Sequence, residues 1–169
     1  MKVFSVANMA RWNLCYRPEL LFPVNWTGTA LDILTADSAV IARDKLWLVL
    51  REECLGPETL KQFAYLCARE AMSIYAELGE PGTKDRCAVY NKYAKEAAEY
   101  AVFMSGDSDL YRAAREASKY MAFTKVYSIC SEKDDTEARR EVYQQTFESA
   151  YEWQVALLIK MLENSSGTN

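Results

Sequence analysis

Between Gly56-Pro57 and Gly79-Glu80-Pro81-Gly82 the chain carries an unbroken apolar stripe at helical spacing. Its members are Leu60, Phe63, Ala64, Cys67, Ala68, Ala71, Met72 and Tyr75. Positions i, i+3, i+4 and i+7 share one side of an α-helix, and Lys61, Gln62, Glu70, Ser73 and Glu77 fall off that side. Pro57 suits a first helical position, where its missing N–H costs nothing. The Gly/Pro cluster after Leu78 breaks the pattern. A long helix with one apolar stripe cannot bury it alone, so this segment demands further layers packed against it.

The same texture recurs downstream. Ser38 is a plausible N-cap for a helix running to about Cys54. Its middle, Leu46 to Leu50, is apolar on every face, which predicts the central helix of the fold, with Trp47 deeply buried beside Phe63 and Cys67. Thr83 or Lys84 opens a helix to about Met104, with Ala94, Ala97, Ala98 and Ala101 as its small-residue face. Ser108 caps another to about Cys130, and a last one spans about Thr136 to Glu163. Shorter helical pieces are expected near Val6–Leu14 and Leu31–Leu34. No segment alternates at period two for more than four residues, so no sheet is expected. Alanine faces let helix axes approach closely. The predicted fold is therefore all-α, a compact antiparallel bundle of about five to seven helices. Residues 1–37 pack on the bundle as a helix and loop, 38–163 form it, and 164–169 read as a disordered tail, making one domain overall.

Composition removes whole classes of chemistry. The chain has 169 residues and no histidine, so His-based triads, His metal sites and haem ligation by His are excluded. The five cysteines, Cys15, Cys54, Cys67, Cys87 and Cys130, never stand at C-x-x-C spacing, which argues against structural zinc and predicts free thiols. No phosphate-binding glycine loop and no nucleophile-elbow motif is present. The expectation is a protein that is not an enzyme, with no cofactor, no metal and no catalytic residues. A net charge of −4 argues against direct nucleic-acid binding. The longest apolar run, Leu46 to Leu50, is far too short to span a bilayer, and no targeting segment is visible. A cytoplasmic location and no membrane contact are expected.

What remains is recognition. Eleven tyrosines are many for this length. Tyr90, Tyr93 and Tyr100 lie on one predicted helix, Tyr120 and Tyr127 seven apart on the next, and Tyr143, Phe147 and Tyr151 on the last. Tyrosine gives rigid contact area with a polar tip, which favours binding surfaces. It also fills the rim of a bundle whose alanines fill the centre. Arg69 and Arg86 join Tyr90 as candidates for a small-ligand site. Asp44, just before the apolar stretch, is expected to form a structural pair with Arg69 or Arg86, since charges beside buried faces are rarely left unpaired. Val155-Ala156-Leu157-Leu158-Ile159 is apolar all round, so either the N-terminal region encloses it or it forms a homo-oligomer or partner contact.

The stretch Arg43-Asp44-Lys45-Leu46-Trp47-Leu48-Val49-Leu50-Arg51-Glu52-Glu53 resembles a motif in a family of phage and bacterial immunity proteins (Imm-5-like), alanine-rich and all-helical. The likeness continues through Phe63-Ala64-Tyr65-Leu66-Cys67-Ala68, Asp85-Arg86 and Glu152-Trp153-Gln154-Val155-Ala156-Leu157-Leu158. It spans about residues 30–162 and is most specific over 43–71. In the middle, Tyr, Lys and Glu dilute the long alanine runs of that family. The resemblance implies a non-enzymatic helical protein of phage or mobile-element origin that binds and neutralises a toxin or bacterial defence protein. It assigns no functional residues. The alternative is a protein that sequesters a small ligand such as a nucleotide signal.

Overall fold

The fold is seen in a computed structural model, which describes residues 2–12, 17–36, 40–79, 81–103, 107–129 and 137–166. Among these residues there are seven α-helices and one two-residue strand pair. The chain is an all-α bundle, as the sequence predicts.

The N-terminal region is built from small, well-capped pieces. β1 (Phe4–Ser5) pairs antiparallel with β2 (Thr27–Gly28), Phe4 opposite Gly28. This corrects the expectation of no sheet; a pair this short has no room to show alternation in sequence. α1 (Val6–Met9) starts on a reciprocal cap, in which Ser5 Oγ accepts from the Asn8 backbone and the Asn8 side chain accepts from the Ser5 backbone. A 3-10 turn follows at Pro18–Leu20. α2 (Ala30–Thr35) repeats the device with Thr29 and Asp32. Gly28 is fixed by its neighbours: a Cβ there would lie 2.5 Å from the Trp26 ring.

α3 (Ala42–Val49) is shorter than expected and is not the central helix. Its predicted cap, Ser38, lies outside the described residues; Ile41 holds the cap position without a side-chain bond. Leu46, Leu48, Val49 and Leu50 are buried, but Trp47 is 49% exposed. The all-apolar run thus fills two sides, against α2 and the last helix, and leaves its aromatic residue on the third.

The bundle proper is α4 (Pro57–Ala76), α5 (Pro81–Phe103), α6 (Asp107–Ile129) and α7 (Glu137–Ser166). α4, α5 and α6 pack on one another, and α7 lies along α6, α3 and α2. The true centre is α6, which meets α4, α5 and α7. Ala64, Ala68 and Ala71, Ala94, Ala98 and Ala101, and Ala113, Ala114 and Ala117 are all buried between these helices. α7 continues past Glu163 to Ser166; the final three residues lie outside the described set. Its apolar end is enclosed on one side: Leu158 and Leu162 are buried against the core that α2 and α3 complete. Val155, Leu157, Ile159 and Met161 on the same stretch are half-buried.

Cys54, Cys67 and Cys87 are buried free thiols; Cys15 and Cys130 lie outside the described residues. Burial pushes the Cys54 thiol up to about 12 and raises Cys67 as well.

One buried polar cluster ties three helices together. The Ser118 hydroxyl of α6 donates to Gln154 Oε1 of α7, whose Nε2 donates back to the Ser118 carbonyl at 3.2 Å. The Cys67 thiol of α4 points at the same oxygen from 3.9 Å. Gln154 is fully buried, so these partners replace its water. Gln154→Ala is expected to cost about 2–4 kcal/mol, through the stranded Ser118 hydroxyl and the space left behind. Adding Ser118→Ala should cost less than the sum of the two single changes, measured as a double-mutant cycle in denaturant.

Candidate binding surfaces

The tyrosine-bearing faces of α5, α6 and α7 converge on one aromatic seam. Tyr90 stacks on Tyr127 at 4.8 Å and on Phe123 at 5.3 Å. Phe123 meets Phe147 edge-on at 5.3 Å, Tyr127 meets Tyr143 at 6.3 Å, and Phe147 meets Tyr151 at 5.1 Å. Tyr120 sits against Tyr93 at 5.1 Å. Of the tyrosines singled out by spacing, Tyr90, Tyr120 and Tyr127 are therefore half-buried packing groups. Burial, reinforced by a hydrogen bond with Tyr127, pushes the Tyr90 phenol up to about 12. Burial does the same for Tyr151.

Tyr93 and Tyr100 differ. They are 42% and 44% exposed, and Val89, 49% exposed, shares their side of α5. At about 100° per residue, positions 89, 93 and 100 fall within about 40° of one another. α5 packs on α4 and α6 and so forms an edge of the bundle, which is why this stripe faces outward. Lys92–Glu96 and Lys95–Glu99 pairs, each at 3.6 Å, border it.

The charged candidates do not gather. Asp44 pairs with its neighbour Arg43 at 3.2 Å, and Arg69 is exposed on α4 with no ion pair to Asp44. Arg86 donates to Thr83 Oγ1 of its own helix at 3.3 Å. Among the described residues the ion pairs include neither Asp44–Arg69 nor Asp44–Arg86; α3 is short and packs mainly on α2 and α7.

A second surface was not visible to sequence reasoning. Arg115 of α6 donates through Nη2 to the Trp47 carbonyl at 2.7 Å and through Nε to the Leu50 carbonyl at 3.1 Å. Its guanidinium lies 4.4 Å from the Trp47 ring and 5.0 Å from the Tyr111 ring. Arg51 also reaches the Trp47 carbonyl, at 3.5 Å, and stands over Trp12 at 4.8 Å. Burial first, and the Arg51 cation second, lower the Arg115 pKa to about 10. Beside this stack opens a cleft of about 360 Å³, open solvent at its mouth included, lined by Leu46, Trp47, Leu50 and Tyr151 and by the charged Arg115, Glu116 and Lys119 among others. The signal available in sequence was the i, i+4, i+8 row Tyr111, Arg115, Lys119 on an alanine-rich helix. Neither Arg69, Arg86 nor Tyr90 lines this cleft.

Among the described residues no His, Cys, Asp and Glu group is placed to hold a metal ion, and no helix is long and apolar enough to cross a membrane. No family of known proteins, no curated protein and no solved structure matches the chain.

The raised phenols have a consequence for stability. Unfolded tyrosines release their protons near 10, whereas folded Tyr90 and Tyr151 hold theirs to about 12. The folded state then binds more protons than the unfolded one, so stability should fall as pH rises from about 10 to about 12. Tyr151→Phe keeps the ring and removes the ionisation, and should lessen that fall; denaturant midpoints at about pH 9 and pH 11.5 measure it.

Proposed function

We propose that this chain is a non-catalytic helical binding protein of phage or mobile-element origin that neutralises a toxin or a bacterial defence protein by direct contact. The observation that carries the reading is the outward stripe of Val89, Tyr93 and Tyr100 on α5. Tyr90 and Tyr127 are committed to internal stacking, while Tyr93, which leans on Tyr120, and Tyr100 are 42% and 44% exposed. Tyrosine loses little rotamer freedom when it is buried at an interface, and it brings a hydroxyl that can be paired there. A rigid helix edge positions such anchors better than a loop. The kind of partner comes from the resemblance of residues 43–71 to immunity proteins.

The test begins with co-purification from a toxin-expressing bacterial host, followed by titration of the captured protein. Tyr93→Ala and Tyr100→Ala are each expected to leave the helical circular dichroism unchanged and to weaken binding by about 1–2 kcal/mol. Binding should fall only modestly with added salt, since rim charges are screened. If instead a Glu96→Gln/Glu99→Gln variant loses binding while both tyrosine variants bind normally, the aromatic stripe is not the anchor and acidic mimicry takes its place.

A further inference from the structure

The cleft beside Trp47 combines three features that nothing in the α5 reading uses. Its floor is apolar, made by Leu46, Leu50 and the ring of Tyr151, all buried. Its wall is the indole of Trp47, half of whose surface is left to solvent even though Arg115 covers one face. Its rim carries two cations, Arg115 and Lys119, and one carboxylate, Glu116, so that one net positive charge remains. Arg115 spends Nε and Nη2 on two backbone carbonyls, and among the described residues its Nη1 makes no hydrogen bond and no carboxylate pairs with it. Lys119 stands one turn further along α6, held by Glu116 at 2.8 Å and leaving further ammonium hydrogens.

The Lys119–Glu116 pair is neutral as a whole, which leaves the unpaired Arg115 guanidinium beside a flat apolar wall, complementary to a small ring bearing one negative charge. The free donors are few: one corner of Arg115 and part of Lys119. They match a carboxylate better than a doubly charged phosphate. The cleft is too small to enclose a nucleotide. We propose that this cleft binds a small aromatic carboxylate, its ring against Trp47 over Leu46 and Leu50, and its carboxylate on Arg115 Nη1 and Lys119 Nζ. The site is independent of the α5 stripe, because α5 packs on α4 and the other flank of α6.

Benzoate is the probe, followed through the four indole N–H signals of nitrogen-15-labelled protein, with Trp47→Phe assigning the relevant one. Benzamide tests the charge and acetate tests the ring. The expected result is saturable movement of the Trp47 signal alone, with a Kd of about 1 mM for so small a ligand. Benzamide and acetate should each bind at least about tenfold more weakly, and Lys119→Met should weaken benzoate about threefold or more. Equal response to benzoate and benzamide, joint movement of all the indole signals, or no saturation below about 20 mM would overturn the proposal. The comparison of benzoate, benzamide and acetate on the wild-type protein decides the matter even where Lys119→Met fails to fold.

Discussion

The end of α3 is held by cations. A helix terminus leaves four carbonyls without intrahelical partners and carries partial negative charge. Here no glycine turns the chain away to cover them. Two guanidiniums do so instead: Arg51 from just beyond the helix and Arg115 from α6. Arg51 also donates to the Trp12 carbonyl, and Lys2 reaches the Glu52 carbonyl at 2.7 Å, so the same few residues fasten the N-terminal region to the bundle. Burying Arg115, and setting it close to the Arg51 cation, are both unfavourable, and together they lower its pKa. The carbonyls and the faces of Trp12, Trp47 and Tyr111 offset that repulsion. The position of Trp47, and therefore the cleft, follows from this clamp.

That arrangement explains where sequence reasoning succeeded and where it stopped. The α4 stripe was legible because every member but its last two, Met72 and Tyr75, faces the core, and the alanine face of α5 was legible for the same reason. The run Leu46–Leu50 was misread because hydropathy reports how much surface must be covered, not which residue is left uncovered. In a helix of eight residues packed on two sides, one apolar residue can remain outside if a cation stacks on it. Gln154 was invisible for a related reason. A single amide on an apolar helix looks like an exposed residue until its partners, Ser118 and Cys67, are known to stand opposite, and those lie 36 and 87 residues away.

The tyrosines were half legible. Spacing correctly placed them in columns, but a column on α5 can face inward at Tyr90 and outward at Tyr93 and Tyr100. Tyr93 and Tyr100 lie about 60° and about 80° around the helix from Tyr90, enough to carry a side chain from the seam to the solvent. Only the positions of α6 and α7 decide which is which.

Gly28 shows how tightly the small N-terminal region constrains its own evolution. Cβ atoms at Gly56, Gly79 and Gly82 would meet nothing within 4 Å, so many side chains fit there. At Gly28 even a methyl group would collide with the Trp26 indole and press on Asp32 Cβ at 3.1 Å. Trp26 cannot easily yield, since it stacks on Phe22 at 4.7 Å and lies near Phe4 at 6.2 Å, while Asp32 is engaged in capping α2. Drift at position 28 is therefore closed unless Trp26 changes first. The two sites form a ratchet in which the large residue must shrink before the small one can grow.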